Sequence, residues 1–293
     1  MAWVTSLRSK EAGRWISAPP KTPKNRFTPR EFQTIIRFRL LMPQLRGGIS
    51  CTCKSIGKNS FNRVDETGHH FVSGCCKTGM RNELHNMMER ELAYNFRYCG
   101  LSVITEELDC FKIADPNCNK RPDLSIDNAQ ELDSGEDRTR RLILDFSLTG
   151  PLPGNQSGIL IDPPLLSADV EDRAANKAFD KKNSMYYDRA DQNNLSFLPF
   201  IMETTGRMHP RAIKLLRSCA KLAEDSHKIS KAILYGFMIK NISCVLQKRI
   251  AQLIIRRITG IHGRQSDAAR NSYYSSHEFV STSHHFRGER HRF

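Results

Sequence analysis

Apolar positions along the chain switch between two spacings, and the switches mark out an order of elements. Leu84, Met87, Met88, Leu92 and Phe96 recur at three and four, the period of one helix face. They predict a helix over residues 81–97, which Gly100 stops by taking the left-handed cap conformation. Three short strand-like runs follow, at 101–106, 122–126 and 142–148. Between the last two, the acidic segment 127–141 reads as a hairpin or exposed loop. A Pro/Gly-rich loop over 149–164 leads to a helix at about 168–190, a strand at 196–203 and a helix at 210–223. Helix, three strands, helix, strand, helix is the order of an α/β layer on a short mixed sheet.

The flanks read differently. Thr28-Pro29-Arg30-Glu31 is a capping box with proline at the first helical position, and it opens a helix to about residue 41. Residues 51–79 are rich in Gly, Ser, Asn and Lys with little periodicity, which suggests a small module held by something other than an apolar core. An amphipathic helix or helix pair is expected over 229–258, and the Ser/Tyr/His/Arg-biased tail from His262 is expected to be disordered. The chain thus divides into a basic helical start (1–50), a small module (51–79), an α/β core (80–225), a helical end (226–261) and a tail (262–293).

Composition narrows the class. Hydrophobic residues at 39% and charged residues at 26% are ordinary for a globular protein. The longest apolar run, residues 197–202, falls far short of a membrane span, and the start has no run of signal-peptide length. An intracellular, soluble protein is expected. The net charge of +14 is unevenly placed. Residues 1–50 carry 10 Lys/Arg against 2 acids and 206–293 carry 17 against 5, while the middle is net negative at 18 against 24. Basic flanks around an acidic centre suit a protein that grips phosphate outside and gathers carboxylates for metal inside.

Two clusters carry candidate chemistry. Cys51, Cys53, His70 and Cys75 offer three thiolates and an imidazole, a tetrahedral Zn2+ set that would fold a short segment lacking a core. His69 and Cys76 compete for the last two places. Such a site is structural, because four protein ligands leave no open position. The other cysteines are scattered, as buried or idle thiols would be. The second cluster is acidic. Asp123 opens one strand, and Asp145 runs inside another among Leu142, Ile143 and Leu144, where a carboxylate is costly unless paired or bound to metal. Two aspartates on neighbouring strands can share Mg2+ or Mn2+, with a nearby lysine to orient water or neutralise the phosphate.

Taken in order, the motifs form a pattern. Ala2-Trp3, Cys51-x-Cys53, Asp65-x-x-Gly68-x-His70-x4-Cys75, Arg121-Pro122-Asp123, Asp145 and Pro199-Phe200-x-x-Glu203-Thr204-x-Gly206 run through the chain, with Ile242-Ser243 and Gln247-Lys248-Arg249 near its end. This order resembles the C-terminal region of non-LTR retrotransposon polyproteins, where a zinc knuckle and a restriction-like PD-(D/E)xK endonuclease follow a reverse transcriptase. The resemblance covers about residues 1–258. It implies a restriction-endonuclease-like core, a nuclease that nicks target DNA to prime reverse transcription, and Asp123 and Asp145 as the metal-binding acids. Asp145-Phe146-Ser147 lacks the strand lysine of D/E-x-K, and the family's K-x-x-K-Y helix pattern falls on Lys182, Met185 and Tyr186. Lys182 is therefore the expected catalytic lysine, with Lys181 and Lys177 behind it.

Glu203 matches the family's glutamate in the P-F-x-x-E-T stretch and is carried as a further catalytic candidate, either a metal ligand or an ion-pair partner of Arg121 or Arg207. Glu106 and Glu107 are weaker acidic candidates. Asn82 stands where the family has a histidine, His85 lies one turn away, and neither receives a role. The polymerase of the family is absent from this chain. The resemblance implies DNA as partner, with RNA left open, and a nuclear or intracellular setting. Two other readings remain: a catalytically inactive nucleic-acid-binding remnant of the same fold, and a generic α/β protein with an incidental Cys/His cluster.

Overall fold

The computed structural model describes residues 2–45, 50–54, 61–63, 66–74, 79–129, 132, 140–151 and 173–281. Of these, 2, 50–54, 61–63, 73–74, 79–81 and 261–281 are described as backbone alone. Helices α1 (Ala2–Leu7) and α2 (Pro29–Arg39) lead to a hairpin of β1 (Ser50–Lys54) and β2 (Phe61–Arg63) and a π turn at His70–Gly74. Helix α3 (Gly79–Tyr98) precedes β3 (Val103–Thr105), β4 (Leu124–Ile126) and β5 (Arg141–Thr149). Then come α4 (Arg173–Gln192), β6 (Leu195–Glu203), α5 (Pro210–His227) and α6 (Lys231–Ser281). From α3 onward this is the order expected from periodicity.

The sheet runs β3-β4-β5-β6. β3/β4 and β4/β5 are antiparallel and β5/β6 is parallel, so the sheet is mixed. A parallel pair needs a crossover, and α4 supplies it across one face. Alternation then sorts β5. Leu142, Leu144 and Phe146 enter the main core with α3, α5 and α6, while Ile143 packs with Phe197, Ala190 and Tyr186 beneath α4. Asp145, two residues from Ile143, belongs to the α4 face.

The start of α2 follows its sequence closely. Thr28 accepts the Glu31 N–H while Glu31 reaches back to the Thr28 N–H, and Pro29 needs no partner. Gly100 closes α3 at φ +86°, a left-handed turn that a side chain resists.

Two segments differ from the expectation. Phe71 and Val72 of the 51–79 segment are buried in the main core, and Gly68 packs on Ile254 of α6. Apolar packing therefore holds at least residues 68–72. The basic start joins the same core through Trp3, Trp15, Ile35 and Phe38. The backbone of α6 also runs past His262 to Ser281, through a stretch that contains no proline to break it.

Candidate metal centre at the open end of the sheet

β4 is short because Pro122 cannot donate to the ladder. β5 continues past it, leaving the Phe146 N–H beyond the last pair, Leu124 with Leu144. The Asp123 carboxylate takes that N–H at 2.6 Å, in the place of a ladder carbonyl. Asp123 and Asp145 each lie one residue beyond the last pair, and the Asp123 charge acts on the Asp145 carboxyl. The two strands thus carry an aspartate each at the same end of the sheet.

Asp145 is only 5% exposed. Burial pushes its carboxyl pKa up, the Asp123 charge pushes it further, and Lys182 opposes both. Lys182 Nζ lies 2.6 Å from Asp145 Oδ2. Burial pulls the Lys182 ammonium down, and the Asp145 carboxylate more than offsets this, leaving its pKa raised. It is therefore a full cation at neutral pH. Lys177 and Lys181 are exposed, and Lys181 Nζ lies in no ion pair among the described residues. Of the three candidate lysines, the fold brings Lys182 to the acids.

The other face contributes two residues. His85 Nε2 lies 3.2 Å from Asp123 Oδ2 and 3.2 Å from the Phe146 carbonyl. Its bond to Asp123 raises its pKa, and burial works against this. Glu89, one turn on, is buried, and burial plus the Asp123 and Glu106 charges push its carboxyl up to about 7. Neither the resemblance nor the periodicity assigns His85 a role, and neither singles out Glu89. The signal available was an i, i+4 pair with one acid set inside the apolar stripe of Leu84, Met88 and Leu92. A cleft of about 290 Å3, lined by His85, Lys182, Phe146 and Ser147, opens beside these groups.

Glu203 stands elsewhere. In the parallel register Asp145 pairs with Pro199 and Thr149 with Glu203, so four residues, about 13 Å of strand, separate Glu203 from the pair. Its carboxylate accepts the Ser6 O–H, and Ser6 also bonds Thr205. Arg121 reaches Glu106 at 3.1 Å, and Arg207 reaches the Thr5 carbonyl at 3.0 Å. Glu107 is held by Arg141 at 2.7 Å, and Asn82 is exposed at the cleft rim. The Glu203-Thr204-x-Gly206 stretch is thus a junction that knits α1 to the sheet and, through Gln247 to the Thr204 carbonyl at 3.1 Å, to α6.

No family model matches the chain, and no curated protein is similar to it.

At the expected zinc cluster, β1 carries Cys51 and Cys53, and Cys51 pairs with Asn62 of β2. Their side chains, and Cys75 and Cys76 entirely, lie outside the described residues. His70 opens the π turn and is buried beside Phe71 at 5.8 Å. His69 packs between Trp3 and Phe38, with Nδ1 at 2.6 Å from Thr67 Oγ1.

Proposed function

We propose that the chain is a metal-dependent DNA endonuclease of the restriction-like PD-(D/E)xK type, akin to the nuclease of non-LTR retrotransposons. One observation carries the reading: Lys182, far from Asp145 in sequence, sits 2.6 Å from its carboxylate, at the strand end where the charge of Asp123 also acts. Two hard oxygen donors of like charge, one of them buried with a raised pKa, suit Mg2+ or Mn2+. A divalent cation held there supplies an activated water and offsets charge on the scissile phosphate.

The chain's own residues do the rest. Asp145 fixes the Lys182 ammonium at the mouth of the cleft, where it can steer the attacking water or neutralise a phosphate oxygen. Phe146 and the sheet wall exclude bulk solvent on one side, which strengthens each of these charges. A second cleft of about 370 Å3 is lined by Lys214, Arg217, Lys221 and Lys231, cations that suit a polyanion held by its phosphates. Among the described residues, no helix is long and apolar enough to cross a membrane. The zinc set of Cys51, Cys53, His70 and Cys75 belongs to the same proposal as a structural module that positions the duplex.

The test is nicking of supercoiled plasmid in Mg2+ or Mn2+ by native protein and by Asp145→Ala. Native nicking that Asp145→Ala abolishes supports the reading. Salt-sensitive DNA binding without nicking by either protein replaces it with a binding remnant, and absence of DNA binding at low salt removes both.

A further inference from the structure

The loop between β3 and β4 carries three cations ahead of Asp123, and two of them are taken up by its own acids. Lys112 pairs with Asp109 at 2.7 Å, and Arg121 pairs with Glu106 at 3.1 Å. The third is Lys120. Its ammonium lies 5.3 Å from the centroid of the Tyr186 ring on α4, and among the described residues no carboxylate pairs with it. Lys182, one turn before Tyr186, holds its own ammonium 5.7 Å from the same centroid. The ring is set by Phe197 at 5.2 Å and Phe111 at 6.2 Å, and among the described residues no hydrogen bond reaches its hydroxyl. Burial raises the Tyr186 pKa and the Asp145 charge raises it further, which sets the phenol beside the acids. Two ammoniums on one ring repel each other. Asp145 offsets Lys182, and nothing among the described residues offsets Lys120.

We propose that Lys120 and the Tyr186 hydroxyl bind a phosphate next to the one held at the acids, so that Lys120, and not Arg121 beside Asp123, is this loop's contact to the DNA backbone. A DNA strand carries a phosphate about every 3.4 Å of helix axis, so ammoniums that share one ring can meet neighbouring phosphates of one strand. Lys182 is tied to Asp145 and serves the phosphate that is cut. Lys120 has no such tie and supplies its charge to a phosphate that stays intact. The Tyr186 O–H adds a charge-assisted hydrogen bond to the same anion. Arg121 brings the same charge, but Glu106 already holds it. The inference deepens the nuclease reading and rests on it for which phosphate is cut; the contact itself does not require cutting.

The experiment is binding of a fluorescently labelled DNA duplex to the full chain in EDTA, from about 50 to about 200 mM salt, with plasmid nicking in Mg2+ run on the same preparations. Lys120→Gln is expected to reduce the slope of log affinity against log salt by about 0.9, the value of one phosphate contact, with melting close to native. Lys120→Arg should restore the slope. Lys112→Gln makes the same charge change on the same loop and should leave the slope native. Tyr186→Phe should weaken binding about tenfold at low salt, the scale for a hydrogen bond to a charged group, with the slope unchanged. A native slope in Lys120→Gln overturns the contact, whether or not its melting falls, and so does an equal loss in Lys112→Gln. Native affinity in Tyr186→Phe overturns the part given to the hydroxyl. Nicking that depends on Asp145, with no change of slope in Lys120→Gln, removes this contact alone. A loss of slope specific to Lys120 in a protein that never nicks upholds the contact and removes the nuclease reading. Native protein that binds no DNA at low salt removes both.

Discussion

Two buried glutamates, 203 and 89, sit in surroundings that differ in one respect. Glu203, 3% exposed, takes the Ser6 hydroxyl within a mesh that also holds Thr205, Arg207 and Gln247. Glu89, 4% exposed, lies beside Asp123 and a histidine that is already engaged, and among the described residues no hydrogen bond or ion pair reaches it. The first carboxylate is satisfied by the chain itself, so its burial is part of the fold. Among the described residues, the second has no such partner. Burial alone does not distinguish the two acids; the partners do.

That contrast can be broken most sharply at Asp145. Asp145→Asn is expected to slow plasmid nicking by at least about 10³-fold, several kcal/mol of transition-state stabilisation, while thermal melting stays close to native. A melt that collapses with the rate would place Asp145 with Glu203 instead. Lys182→Gln should cost about 10²-fold in nicking, the scale for losing one preorganised charge. Lys181→Gln, its exposed neighbour, should leave the rate unchanged, and equal losses in the two would undo the assignment of the lysine.

Glu203→Ala tests the other side. Leaving the Ser6 hydroxyl buried without its acceptor is expected to cost about 1–3 kcal/mol in urea unfolding, with nicking per folded molecule retained. The smallest effect is expected at Glu89 in chelator. The folded carboxyl holds its proton to about pH 7, against 4.5 for the free side chain, so the folded state binds more protons between these values. The Glu89 contribution to native stability therefore falls as pH rises from 4.5 to 7. Glu89→Gln has no such slope and should be more stable than native at pH 8 by about 1–2 kcal/mol, with the two equal at pH 4. Parallel melting curves across that range would show Glu89 to be as well matched as Glu203.

Much of the frame was legible because it is local. The Thr28–Glu31 box, the stripe of α3, the stop at Gly100 and the apolar run of β5 are each written within a few residues, and each formed where expected. Asp123 and Asp145 were legible for the same reason, as acids at a strand start and inside a strand. The partners of these residues were not. Ser6 meets Glu203 across 197 residues, and no spacing encodes that contact. His85 and Glu89 gain meaning only because β4 begins no earlier than Leu124 and leaves Asp123 to α3, a consequence of sheet register and not of α3 itself. The core role of Phe71 and Val72 was hidden by the polar residues around them, since two apolar positions make no period.

The claim beneath all of this is that Asp123 and Asp145 share a cation at the open end of the sheet. Anomalous scattering from crystals soaked in Mn2+ addresses it without any assay of activity. The expected map has a peak contacted by one carboxylate oxygen from each aspartate, at about 2.1 Å. A map with manganese bound elsewhere and none between those two side chains would contradict it.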